Sequence, residues 1–145
     1  MLLSRSRQLL LDTNAFIYFL DGEEPYFEVL LSVFRRVQAG DLSLIVSVIT
    51  EAELLIRPER DDNEVAKERI GDLLSEDGIY VVGVDRRIAR RAAALRGRTR
   101  LKLADAIIVA TALETGCEAI VGNDGEWARK QIDIPFVRLD DLVAR

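Results

Sequence analysis

The stretch Leu103-Ala-Asp-Ala-Ile-Ile-Val-Ala-Thr-Ala-Leu-Glu-Thr-Gly-Cys-Glu-Ala-Ile-Val121 decides the fold. From Ala106 to Leu113 only Thr111 is polar, so this part reads as a helix buried on nearly every side. Gly116 stops that helix. Ala119 to Val121 then reads as a short apolar strand. A buried helix feeding directly into an apolar strand is the unit from which α/β sheets are built. Asp105 opens the helix, and a carboxylate in such a setting is costly to desolvate unless something positive meets it.

The same alternation extends outward. Gln8 to Leu11 is a short apolar run ending at Asp12-Thr-Asn14, a strand followed by a turn signal. Ala15 to Leu20 reads as a short helix broken by Asp21-Gly22. Pro25 suits the first turn of a longer helix, with Phe27, Leu30, Leu31, Phe34 and Val37 at helical spacing and Gly40 as its end. Leu42 to Ser47 is a strand, and Ile49 to Ile56 a helix halted by Pro58. Asn63 precedes a helix over Val65 to Leu74, and Ile79 to Val84 is a strand. Asp85 caps a basic helix over Arg86 to Leu95, ended by Gly97. Gly122 to Gly125 is a turn before a short helix through Trp127, and Phe136 to Leu139 is a last strand before a helical turn. The expected fold is an α/β domain with a central, mainly parallel sheet covered by helices on both faces. The 145 residues suit one domain, residues 1–145, without linker or repeat.

Composition narrows the chemistry. Histidine is absent, which excludes a Ser-His-Asp triad, a Cys-His pair and imidazole-based zinc or copper sites. Cys117 is the lone cysteine, so no internal disulfide and no cysteine zinc cluster can form, and a structural role is expected for it. No apolar run approaches the length that spans a bilayer, and Met1 to Arg7 lack the pattern of a signal peptide; a cytoplasmic protein is expected. Remaining oxygen donors point to Mg²⁺ or Mn²⁺.

Asp12 and Asp124 each follow a strand at its carboxyl end, where parallel sheets bind ligands. Glu51 and Glu53 begin the helix after the strand Leu42 to Ser47, and Asp105 begins its own helix. Acids from four separate segments are thus expected at one rim, where mutual repulsion calls for cations. Two divalent ions about 3.5–4 Å apart can activate a water and steady the leaving oxygen in phosphodiester hydrolysis. Each acid taken singly has a plainer reading: Asp105 as a helix cap, Asp12 as an Asx turn, Asp124 as part of a turn signature. Their joint placement favours the metal reading.

Four stretches carry a family resemblance: Leu11-Asp-Thr-Asn14, Ser47-Val-Ile-Thr-Glu-Ala-Glu-Leu54, Leu103 to Ala112, and Gly122-Asn-Asp-Gly-Glu-Trp127. In order and spacing they resemble the PIN-domain nucleases, and in particular the VapC-like toxins of toxin–antitoxin pairs. The resemblance implies a PIN-like three-layer domain and a metal-dependent endoribonuclease using Mg²⁺ or Mn²⁺. It implies catalytic and metal-binding roles for Asp12, Glu53, Asp105 and Asp124, with Thr13, Asn14, Ser47 and Asn123 in support. It also selects Glu53 over Glu51, and it implies a homodimer and a small cognate antitoxin. The chain departs from the family where Gly122 replaces a usual Thr and where Ile56-Arg-Pro58 follows the Glu-Leu pair in place of a Gly. The lost hydroxyl keeps open an alternative: a catalytically weakened module that binds RNA or protein. Glu126 is a possible auxiliary to Asp124. A phospho-acceptor domain of receiver type is disfavoured because Asp140, not Lys, follows the last strand.

The net charge of −5 hides a basic segment. Arg86, Arg87, Arg90, Arg91, Arg96, Arg98, Arg100 and Lys102 occur with no acid among them. A solvated helix face is the plainer reading. So many bases beside Asp105 in an acidic protein favour contact with RNA phosphates, through Arg86, Arg87, Arg90, Arg91, Arg98, Arg100 and Lys102.

Overall fold

The computed structural model describes Leu3 and residues 6–143, without the side chain of Ala128. The reading of Met1 to Arg7 therefore falls mostly outside the described residues. Five strands form one all-parallel sheet: β1 (Gln8–Leu11), β2 (Ser43–Ser47), β3 (Ile79–Val82), β4 (Ala119–Gly122) and β5 (Phe136–Arg138). Their order is β3-β2-β1-β4-β5. The chain thus builds outward from β1 in one direction, then returns to its other side with β4 and β5. The order reverses between β1 and β4, and a crevice forms at the carboxyl ends on such a switch.

Strand side chains alternate between two cores because successive residues face opposite sides of a sheet. Leu9, Leu11, Leu44, Val46, Ala119 and Val121 join one cluster. That cluster is covered by α1 (Thr13–Asp21), α2 (Tyr26–Gln38), α3 (Val48–Arg60) and α4 (Glu64–Leu74), through Phe16, Leu30, Phe34, Leu54 and Ile70. Leu10, Ile45 and Ile120 point the other way. They meet α5 (Arg86–Thr99) and α6 (Leu103–Glu114), which bury Ile88, Leu95, Ala106, Val109 and Ala110. Two short helices, α7 (Gly125–Ala128) and α8 (Leu139–Leu142), flank β5. The expected three-layer architecture is therefore present. Among the described residues no helix is long and apolar enough to cross a membrane.

Local differences from expectation have local causes. The helix expected to halt before Pro58 continues to Arg60. Pro58 lies in the last turns, where its missing N–H removes a single bond, and its ring is buried. Gly97 does not end α5, which runs to Thr99 and closes at Arg100 in the left-handed conformation, φ 61°. Glycine within a helix costs only about 1 kcal/mol relative to alanine, and packing against α6 exceeds that. Pro25 stands at the cap position before α2 rather than inside its first turn. The third strand stops at Val82, two residues short of the expected Val84. Cys117 is half-buried beside Thr115, and burial pushes its thiol pKa upward, in keeping with a structural role.

Candidate metal centre

Asp12 follows β1 directly at the switch point. Its backbone N–H donates to the Val121 carbonyl at 2.9 Å, which ties it to β4. Asp12 has extended backbone at the N-cap of α1, but its side chain caps nothing. It is 5% exposed, one of few buried charged or polar residues. Burial pushes its pKa up to about 7, partly opposed by the Thr13 backbone N–H. The carboxylates of Asp105, Glu53 and Asp124 raise it further. Asp12 is therefore close enough to feel all three of the other expected acids.

Glu53 comes from the second turn of α3. Its Oε1 accepts from Thr13 Oγ1 at 2.7 Å, and Thr13 Oγ1 also meets Thr50 Oγ1 at 3.0 Å. Thr13 and the buried Thr50 thus fix α1 against α3 and aim Glu53 at the crevice. Glu51, half-buried, lies in the first turn of α3. Two residues apart on a helix face different sides, so α3 presents only one of the pair. Ser47 is buried and caps α3, its Oγ accepting from the Ile49 N–H at 3.1 Å.

Asp105 lies in the first turn of α6 and is half-buried. Burial raises its pKa; the Trp127 indole N–H opposes this, Asp124 and Glu53 raise it further, and Lys102 lowers it. Asp124 caps α7, with Oδ1 accepting from the Glu126 N–H at 2.8 Å. Glu126 itself is exposed. Asn123 serves the frame: its Oδ1 accepts from the Asp140 N–H at 3.2 Å and its Nδ2 donates to Tyr18 Oη at 3.5 Å. Asn14 is exposed on α1, away from these bonds.

Gly122 has a role that the sequence reading missed. A Cβ there would stand 2.9 Å from Asp12 Cβ and 3.1 Å from Asp12 Oδ2. The absent side chain is what gives the Asp12 carboxylate its room. A hydroxyl residue at 122 would require Asp12 to move. Thr50 was also missed as a site residue, although it is the Thr of the Ser-x-x-Thr-x-x-Glu pattern.

None of Asp12, Glu53, Asp105 and Asp124 forms an ion pair with Lys or Arg among the described residues. A buried carboxylate beside three others, without a cation, is unfavourable. All donors are oxygens, which suits a hard divalent cation. Glu53 and Asp124 each commit one oxygen to the protein and keep the other. Among the described residues no three acids converge on one ligating point. The set suits a divalent cation in charge and donor type.

The basic segment divides in two. Arg87 and Arg91 both pair with Glu114, Arg87 at 3.3 Å, and Arg98 pairs with Asp133 at 2.7 Å. Arg96 donates to the Leu101 carbonyl at 2.6 Å and helps close α5. Arg86, Arg90, Arg100 and Lys102 make no ion pair among the described residues, and all four are exposed.

The chain superposes on a toxin–antitoxin complex from Klebsiella pneumoniae with a TM-score of 0.70 at 26% identity, over 90% of this chain and 97% of that one. It superposes on VapBC2 from Rickettsia felis, bound to a DNA fragment from its promoter, with a TM-score of 0.71 at 16% identity, over 90% and 98%. VapBC-1 from nontypeable Haemophilus influenzae gives a TM-score of 0.71 at 19% identity, over 92% and 98%. The last two likenesses concern the fold. No curated protein matches in sequence. Residues 9–132 match the family described as PIN domain, a span that holds Asp12, Glu53, Asp105 and Asp124. The chain belongs to the PIN domain family.

Proposed function

We propose that this protein is a metal-dependent endoribonuclease and the toxin of a toxin–antitoxin pair. The observation that carries the reading is the gathering of Asp12, Glu53, Asp105 and Asp124 at the sheet's switch point, with Asp12 buried and no basic partner. Family membership supports nuclease chemistry, and the superposition on toxin–antitoxin complexes supports the pairing with an antitoxin. Mg²⁺ or Mn²⁺, when bound, would supply activation of water and stabilisation of the leaving oxygen. Asp12 and Asp105 would hold it from β1 and α6, with Glu53 and Asp124 closing from α3 and the α7 turn. Thr13 keeps Glu53 aimed, Thr50 keeps Thr13 in place, and Gly122 leaves Asp12 its room. Arg86, Arg90, Arg100 and Lys102, unpaired within the protein, would hold RNA phosphates.

The same electrostatics suit an antitoxin. A basic side chain entering the rim would neutralise the acids and take the place of the cation. A homodimer acting in the cytoplasm belongs to the same reading. The alternative of a weakened binding module drew on Gly122 as a lost hydroxyl. That ground weakens once Gly122 is seen to make space for Asp12.

The test is cleavage of tRNA and rRNA with Mg²⁺ or Mn²⁺ by wild type, Asp12→Asn and Asp105→Asn. Both variants should lose activity by roughly a thousandfold or more, the scale seen when one essential group is removed. Equal cleavage by the folded variants would sink the reading.

A further inference from the structure

Asn123 stands between Gly122 and Asp124 in the turn from β4 to α7. Gly122 lies so close to Asp12 that a Cβ would stand 2.9 Å from Asp12 Cβ. Asp124 commits its Oδ1 to the Glu126 N–H at 2.8 Å. Where the Asn123 side chain is held therefore bears on how this turn sits against Asp12.

The holders come from three other elements. The Asp140 backbone N–H in α8 donates to Asn123 Oδ1 at 3.2 Å. Asn123 Nδ2 donates in turn to Tyr18 Oη of α1 at 3.5 Å. Tyr18 stacks on Tyr26 of α2, with ring centroids 4.3 Å apart and planes 18° apart. Tyr26 Oη donates to Asp140 Oδ1 at 2.6 Å, and Arg138 donates to the other oxygen, Oδ2, at 3.0 Å. The contacts close a circuit from Asn123 through Asp140, Tyr26 and Tyr18 back to Asn123. A backbone N–H can only donate, so Asp140 fixes which way the Asn123 amide points. A phenylalanine at 26 would keep the stack and the packing on the core. What the hydroxyl adds is the shortest bond of the circuit, made to a charged acceptor. That bond leads to the turn, not into the core.

We infer that Tyr26 is a positioning residue: through Asp140 and Asn123 it holds the turn from Gly122 to Asp124 against Asp12. The holding itself requires no ion; its consequence for catalysis rests on the cleavage reading above. A misplacement of about 1 Å can cost on the order of a hundredfold in rate, and a loosened turn should cost about tenfold.

Amide hydrogen exchange on the full chain, followed by NMR without added metal, reads the turn directly. In Tyr26→Phe the amides of Asp140 and Glu126 should exchange about tenfold faster than in wild type, while that of Ile45 in the central strand β2 keeps its rate. A merely structural role would speed all three together through global unfolding. The second measurement is cleavage of tRNA and rRNA with Mg²⁺ or Mn²⁺. Tyr26→Phe and Asp140→Ala should each lower kcat about tenfold with KM little changed, and the double variant should fall no further, because both break the same bond. Asp140→Asn keeps a partner for the Tyr26 hydroxyl and should recover most of what Asp140→Ala loses. Wild-type exchange at Asp140 and Glu126 in folded Tyr26→Phe overturns the inference, and so does a wild-type kcat in that variant. Should Tyr26→Phe not fold, Asp140→Ala and its rescue by Asp140→Asn decide. If wild type cuts neither RNA, the cleavage reading fails, and the exchange rates still decide whether Tyr26 holds the turn.

Discussion

The basic helix α5 and the acid rim are neighbours, and both are dense in charge, yet they treat charge in opposite ways. On α5 the arginines are exposed, and Arg87, Arg91 and Arg98 are matched by Glu114 and Asp133. At the rim Asp12 is buried, and none of the four acids has a basic partner among the described residues. A charge run read from sequence was in part a self-satisfied surface. A few scattered acids were a genuine electrostatic deficit. What distinguishes a site is desolvated charge without a partner, rather than the number of charges.

The largest expected consequence concerns Asp12 and stability. Its folded pKa of about 7 stands above the ordinary value of 3.8. Between these values the folded protein keeps a proton that the unfolded chain has released. Metal-free stability should therefore fall as pH rises from about 4 to about 7, by on the order of a few kcal/mol, and level off above. Asp12→Asn should flatten that slope and make the metal-free protein more stable than wild type at pH 8. Urea melts in EDTA across this range check it; a wild-type stability that rises with pH through the window would break the contrast with α5.

A smaller effect is expected at Gly122. Gly122→Ala forces a Cβ against Asp12, and overpacking of this kind costs about 1–3 kcal/mol. Thermal melting should show the loss, together with weakened Mn²⁺ binding. Unchanged stability would mean that Asp12 moves aside at no cost. The smallest effects should separate the arginines. Arg90→Ala should weaken RNA binding about threefold and lower the salt slope by about 1, with no change in melting temperature. Arg91→Ala should instead lower melting temperature slightly, by loosening its pair with the largely buried Glu114 side chain. The reverse pattern would mean that the paired arginines face the RNA.

The fold was legible because its signals are local. The apolar runs at Leu9 to Leu11 and Ala119 to Val121, and the greasy helix after Asp105, each carry their own periodicity. The rim was legible because parallel α/β topology brings strand ends and helix starts together. Glu53 was distinguished from Glu51 only through a motif, since spacing alone puts the two on different sides. The features that the sequence leaves hidden depend on distant partners. Arg91 meets Glu114 at a separation of 23 residues, and Arg98 meets Asp133 at 35. Gly122 reads as a missing hydroxyl until Asp12, more than a hundred positions earlier, is seen beside it. Pro58 and Gly97 signal breaks that tertiary packing overrides.

The most direct measurement is Mn²⁺ binding to the full chain by calorimetry, for wild type, Asp12→Asn and Asp105→Asn. Wild type should bind, and each variant should lose at least about tenfold in affinity. A wild type without detectable binding, or variants that bind as tightly, would contradict the account.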